Sequence, residues 1–183
     1  MIDREYALGL LDRYVKSDNL KKHMLATEAI MRALAEKFNQ DEDLWGIAGL
    51  VHDIDYELCG EDTSQHGVLA VDILKEAGFP EEIIEAVKMH TKGVEVDDNP
   101  MYIAICAADA VNGLITAGAL IKPEKSLNAI DTKFIMKRFK EKAFAKGANR
   151  EEIKLCEKLG LSLEEFITIS LSAMQKIHED LGL

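Results

Sequence analysis

Apolar residues recur along most of this chain every three to four positions, and strand-like alternation of any length is absent. Residues 3–16 place Tyr6, Leu10, Leu11 and Tyr14 on one side of a short helix. Ser17-Asp18-Asn19 then reads as an N-cap, and Leu20, Met24, Ile30, Met31 and Leu34 carry a long helix to about Phe38. Asp41-Glu42-Asp43 stand before Leu44-Trp45, where a helix dipole favours acids, and this third helix delivers His52-Asp53 at its C-terminal end. A polar stretch, 57–64, leads to a helix over about 65–77 that Gly78 closes. Pro80 with Glu81-Glu82 starts the next, which ends at Met89-His90, and Pro100 opens the most apolar helix, 101–120. Beyond Pro123 the pattern predicts a basic amphipathic helix over 133–146, another from Asn149, and a last one behind the capping box Ser162-Leu163-Glu164-Glu165. The expected fold is therefore all-α, one domain over 1–183, with a core of about 18–120 and a C-terminal helical extension packed on it.

Composition narrows the function. At 183 residues a single domain buries roughly 70% of its unfolded surface. A formal net charge of -11 argues against sequence-independent binding to duplex nucleic acid or to an anionic membrane, since phosphate binding calls for a basic stripe. It leaves room for a small phosphorylated substrate held through a metal. The three cysteines, Cys59, Cys106 and Cys156, are scattered and form no CxxC, so neither a disulfide frame nor a thiolate zinc site is expected. The opening Met1-Ile2-Asp3-Arg4-Glu5 is charged where a secretory signal turns apolar, and no uncharged run approaches a membrane span. A cytoplasmic location is the expectation.

The candidate chemistry lies in the histidines. Four of the five, His23, His52, His66 and His90, fall in the first half, each in or beside an apolar helical segment. Imidazole and carboxylate together suit borderline and hard divalent ions, so Fe, Mn, Co, Ni and Zn are all candidates. Asp109 stands in the middle of the most apolar helix with no Lys or Arg within four residues on either side. Buried there, it costs several kcal/mol unless paired or bound to a metal. Each of these residues taken singly has an ordinary reading: a half-exposed helix-start histidine for His23, a first-turn residue for His66, a dipole-favoured C-terminal residue for His90. Together, four histidines and two aspartates supply enough donors for two metals. Asp53, beside His52 in the same turn, is the natural bridge between them. Asp55 and Glu57 read equally as partners of a ligand imidazole or as a plain acidic loop. The basic cluster from Lys133 to Lys146 reads as a solvated face, and His178 as outside the site.

The order His23, His52-Asp53, His66, His90, Asp109 resembles the HD-domain superfamily of metal-dependent phosphohydrolases, and within it the subset with two extra histidines and a dinuclear site. That subset includes the HD-GYP phosphodiesterases, the HD-type diadenosine tetraphosphate hydrolases and the mixed-valent di-iron oxygenases. The resemblance implies a first metal on His23, His52, Asp53 and Asp109, and a second on His66, His90 and the shared Asp53. The turn His90-Thr91-Lys92-Gly93 is similar to the His-Thr-x-Gly turn of the diadenosine tetraphosphate hydrolases, which keeps a nucleotide substrate open. Asp53 is the candidate catalytic residue, and Lys92 reads either as a contact to a substrate oxyanion or as an ordinary solvated lysine after a helix end. No Gly-Tyr-Pro follows the His-Asp pair, which separates the chain from HD-GYP proteins. The implied activity is hydrolysis of a phosphoester or phosphoanhydride of a nucleotide or similar small molecule. A di-iron oxygenase, or a nucleotide-sensing module without turnover, stands as the alternative.

Overall fold

Twenty residues after the Ser17 cap, 18–37, form the helix on which the others are arranged. The computed structural model describes residues 2–183 and contains helices and turns with no strand among the described residues. The α-helices are α1 (Arg4–Tyr14), α2 (Asp18–Lys37), α3 (Glu42–Val51), α4 (Tyr56–Cys59), α5 (Val68–Glu76), α6 (Glu81–His90), α7 (Pro100–Leu120), α8 (Thr132–Lys140), α9 (Arg150–Ile153), α10 (Leu163–Lys176) and α11 (His178–Leu181). The all-α expectation is met.

Helix α2 starts where its cap predicts: the Ser17 side chain accepts from the Leu20 N–H. Glu57 adds to this by accepting from the backbone N–H groups of Lys16 and Ser17, at 3.0 and 2.7 Å. The inner face of α2, with Met24, Ile30, Met31 and Leu34 fully buried, packs chiefly on α3 and then on α10 and α7. The α2–α3 approach is close enough that a Cβ on Gly49 would lie 3.0 Å from the Thr27 carbonyl oxygen and 3.1 Å from the Glu28 Cα. Backbone atoms cannot move aside cheaply, so glycine is needed there. Behind this contact the Glu28 carboxylate, 3% exposed, is held by Arg4 and Arg32. A buried acid with two guanidinium partners is satisfied, and it ties α1 to α2.

Helix α7 is long and apolar enough to cross a membrane by length and composition, yet 72% of that stretch is buried inside the fold. It packs on α6, α2 and the segment 150–159. From the far end of the chain, Phe166, Ile167 and Met174 enter the same hydrophobic core as Met24 and Leu34. The fold's centre thus draws on both sides of Pro123.

Three elements differ from the pattern-based expectation. The helix expected over 65–77 begins only at Val68, because Gly67 takes a left-handed conformation (φ 83°) that breaks the helical path behind it. His66 is left in an extended conformation at the end of a short 3₁₀ turn, Thr63–Gln65. The stretch 57–64 carries the one-turn helix α4. The basic helix expected over 133–146 stops at Lys140. There the guanidinium of Arg150 gathers the carbonyls of Phe144, Ala145 and Ala148 at 2.6, 2.7 and 2.6 Å, bending 141–148 around itself instead of letting it continue as helix.

Candidate metal centre

Five separate pieces of chain meet at one point. His23 comes from the second turn of α2, His52 from the C-cap of α3, and Asp53 from the turn behind it. His66 comes from the extended joint before α5, His90 is the last residue of α6, and Asp109 lies midway along α7. All six candidate donors converge.

They form two groups, His23–His52–Asp109 and Asp53–His66–His90. In the first, His23 Nε2 lies 2.9 Å from Asp109 Oδ1 and 3.2 Å from His52 Nε2. In the second, His66 and His90 face each other with Nε2 atoms 3.2 Å apart. The Asp53 carboxylate stands between the groups. Its Oδ2 is 3.5 Å from His23 Nε2 and 3.4 Å from His52 Nε2, while its Oδ1 is 3.4 Å from both His66 Nε2 and His90 Nε2. Each oxygen serves one histidine pair.

The opposite edges of three rings decide the tautomers. His52 Nδ1 donates to the Gly49 carbonyl at 2.8 Å, His90 Nδ1 donates to the Val87 carbonyl, and His66 Nδ1 donates to Asp55 at 2.8 Å. A neutral imidazole has one N–H, so these bonds leave Nε2 as a bare lone pair on all three. In the His66–His90 pair both lone pairs then point into the same gap. Two lone pairs 3.2 Å apart repel unless a cation lies between them. Donors 3.2–3.5 Å apart are also the spacing of adjacent ligands around one ion with bonds of about 2.0–2.2 Å. The donor set therefore fits divalent metal, and its all-N/O chemistry suits Fe, Mn, Co, Ni or Zn alike.

Two supporting residues escaped the sequence reading and one was left undecided there. Asn112 is 1% exposed and lies one turn along α7 from Asp109. Its Nδ2 donates to the His23 carbonyl at 2.8 Å and lies 3.0 Å from His23 Nδ1, which ties the His23 ring and backbone to α7. The signal was a single amide in a helix where Asp109 was the sole charge. Asp55, fully buried, accepts from His66 Nδ1 and from the backbone N–H groups of Gly67 and Ala70, so it is a partner of the His66 imidazole. Glu57 is not; it caps α2. Glu152, from α9, is half-buried against the turn after His90, held by Asn149 Nδ2 at 2.8 Å. Burial pushes its carboxyl up, opposed by the Asn149 bond, and the negative Asp109 adds to the rise. Nothing in the spacing pointed to it.

Lys92 lies on the exposed turn two residues past His90, and its ammonium makes no ion pair among the described residues. A third donor group, Asp55–Cys59–His66, shares its histidine with the second. Asp55 is already saturated there, and burial and the Asp55 charge hold the Cys59 thiol up in its neutral form.

With protons as the only counter-ions, the cluster is strongly polarised. Burial opposes charge on His52, but Asp53 and Asp109 outweigh it and raise the imidazole to about 9. His66 rises to about 10 against the same opposition, through Asp53 and Asp55. Despite burial, the imidazoles hold Asp53 well below the carboxylate range, and Asp109 is lowered likewise by His23 and His52. Raised histidines stabilise the metal-free fold fully below their ordinary 6.5, and that contribution is lost as pH climbs to about 9 and about 10. Lowered carboxylates contribute above their ordinary 3.8, a contribution lost as pH falls. Metal binding displaces the histidine protons and so strengthens with pH. Chelator-treated protein should therefore melt at progressively lower temperature between pH 6.5 and 10, while the gap to metal-loaded protein widens. Parallel melting curves in the two states across that range would contradict this account.

Sequence comparisons agree with the geometry. The HD domain profile matches residues 20–159. The chain is 28% identical over 180 residues to ribonuclease Y of Aquifex aeolicus, covering 96% of this chain and 32% of that protein. It is 30% identical over 139 residues to ribonuclease Y of Desulforudis audaxviator, covering 73% and 26%. Over 88 residues it is 32% identical to the tRNA (cytidine(56)-2'-O)-methyltransferase of Thermoplasma volcanium, covering 48% and 25%. The chain thus spans about a third or less of the length of these relatives. A profile match across most of the chain, with the His52-Asp53 pair at the centre of the donor cluster, shows that this chain belongs to the HD-domain family.

Proposed function

We propose that the chain is a metal-dependent hydrolase of a phosphoester or phosphoanhydride in a nucleotide or similar small molecule, with two divalent ions sharing Asp53. The observation that carries this reading is the Asp53 carboxylate, with one oxygen turned to each histidine pair. His23, His52 and Asp109 would hold one ion, and His66 and His90 the other. Such ions supply charge for the phosphoryl oxygens and acidify water for attack. The relatives named ribonuclease Y support a phosphodiester in a nucleotide chain as the bond cleaved.

The protein's own residues orient and hold. Asp55 and the Gly49 and Val87 carbonyls keep three imidazoles in one tautomer, so no ring has to turn when substrate arrives. Asp109, with a side chain 32% exposed, marks the open side on which a phosphate approaches. Lys92, exposed on the turn after His90, is free to meet a phosphate oxygen and add positive charge there.

Elemental analysis of the purified protein is the test, with His66→Ala and His90→Ala beside it. About two ions per chain are expected, falling to about one in either variant, with hydrolysis of a phosphodiester panel lost to a chelator and restored by Mn, Co, Ni or Zn. At most one ion in the wild type, unmoved by either substitution, would refute the dinuclear reading. Iron with substrate-dependent oxygen uptake would refute hydrolysis.

A further inference from the structure

A cavity of about 420 Å³ opens directly beside the donor cluster, with the His23 ring and Asn112 in its wall. It lies between the first turns of α2 and the C-terminal half of α7. The α7 residues that line it, Asn112, Thr116, Ala117 and Leu120, follow Asp109 at helical spacing along one face. The cleft therefore extends from His23 and Asn112 along both helices, with Leu181, Gly182 and Leu183 also in its wall. Its size lies within the range of small-molecule sites.

The lining combines three chemistries. Ala26, Ala117, Leu120 and Leu181 supply apolar wall, and Asn19 and Thr116 supply polar edges. Lys22, the residue before His23, is half-buried and lines the cavity with its ammonium close to Gly182. That ammonium makes no ion pair among the described residues, whereas neighbouring Lys21 is paired with Asp12 at 2.6 Å. A bare phosphate has no use for the apolar wall, and an acyl chain has none for the cation. A nucleoside with a phosphate attached uses all three: a flat apolar face, polar edges and an anion.

We propose that this cavity is the nucleoside subsite of the enzyme, taking the nucleoside next to the scissile phosphate while Lys22 meets the phosphate on that nucleoside's far side. The substrate class is then an oligonucleotide, or a dinucleotide carrying a terminal phosphate, rather than a phosphomonoester. This inference rests on the hydrolase reading above and adds to it where the substrate lies.

The test uses the metal-loaded full chain and two substrates, a 5′-phosphorylated dinucleotide and bis(p-nitrophenyl) phosphate. Ala117→Phe, which fills the cavity, should lower the ratio of kcat/KM for dinucleotide over aryl diester by about ten- to a hundredfold. Metal content should stay at the wild-type value. Lys22→Ala should cut the preference for the phosphorylated over the dephosphorylated dinucleotide by about tenfold. Ala117→Leu replaces the phenylalanine variant if that one does not fold. Unchanged ratios in folded variants would overturn the subsite and leave the hydrolase reading standing. If metal-loaded wild type cleaves no diester, the hydrolase reading fails, and calorimetry with a nucleoside monophosphate decides the cavity. Binding that the Ala117 variant abolishes would sustain a nucleoside site there; no binding, or binding unaffected by the variant, would overturn it.

Discussion

Asp53→Ala should empty both halves of the metal centre at once. Of the six donors, Asp53 is the one placed between the two histidine pairs, one oxygen facing each at 3.4–3.5 Å. Without this carboxylate the second group keeps two imidazoles and no anion, and the first keeps Asp109 as its one anion beside His23 and His52. Neutral imidazoles do not balance a divalent charge in a site where His52 is fully buried and His90 is 7% exposed. Metal content should fall to a trace. Phosphodiester hydrolysis should drop by at least about a thousandfold, since removing a single preorganised contact to the developing charge already costs about 10²–10³. Asp53→Asn, which keeps the shape and removes the charge, separates this effect from any loss of packing and should behave the same way. Elemental analysis and turnover on the same samples check both. Full activity in a metal-replete Asp53→Ala protein would mean that the site lies elsewhere.

The second large effect is expected at Asp55, which lies outside the six converging donors and holds the back of His66. Three donors converge on its carboxylate: His66 Nδ1 at 2.8 Å, Gly67 N at 2.7 Å and Ala70 N at 2.9 Å. In Asp55→Ala two buried backbone N–H groups lose their acceptor and His66 loses its orienting partner. The fold should weaken by about 2–4 kcal/mol. Hydrolysis should fall by about ten- to a hundredfold, with the ion on His66 and His90 lost before the other. Asp55→Asn is no rescue. All three partners donate, and an amide offers one accepting oxygen and an NH₂ that must face an N–H. Urea unfolding together with metal analysis reads both effects. An unchanged midpoint with two ions retained would show that the carboxylate is dispensable.

The two predictions differ in how much of each was legible in the chain. Asp53 could be singled out from sequence because it adjoins His52 and because the spacing of four histidines and Asp109 matches a known order. Asp55 could not. Its partners are 11 to 15 residues away, across the Gly67 break, and a loop carboxylate two positions from Glu57 carries no mark of which one turns inward. The structure sends Asp55 into the protein and Glu57 to the start of α2. Asn112 was visible as an odd polar residue, but that its amide would reach His23, 89 residues earlier, depends on how α2 lies against α7. The same holds for Glu152, which lies against the Gly93 turn after His90 only because the region after Pro123 folds back on α7.

What the sequence determined by itself is local: which residues can donate to a metal, that Ser17 and Ser162 cap α2 and α10, and that every long element is helical. Those properties depend on side-chain chemistry and on interactions within about four residues, so they can be read along the chain. Where His66 lies, where the basic helix ends and which Asp53 oxygen faces which histidines were decided only in three dimensions. The reasons are the left-handed Gly67, the Arg150 guanidinium drawing in distant carbonyls, and the Gly49 contact that presses α3 onto α2. Each joins groups that no periodicity relates, and together they turn six scattered donors into one centre.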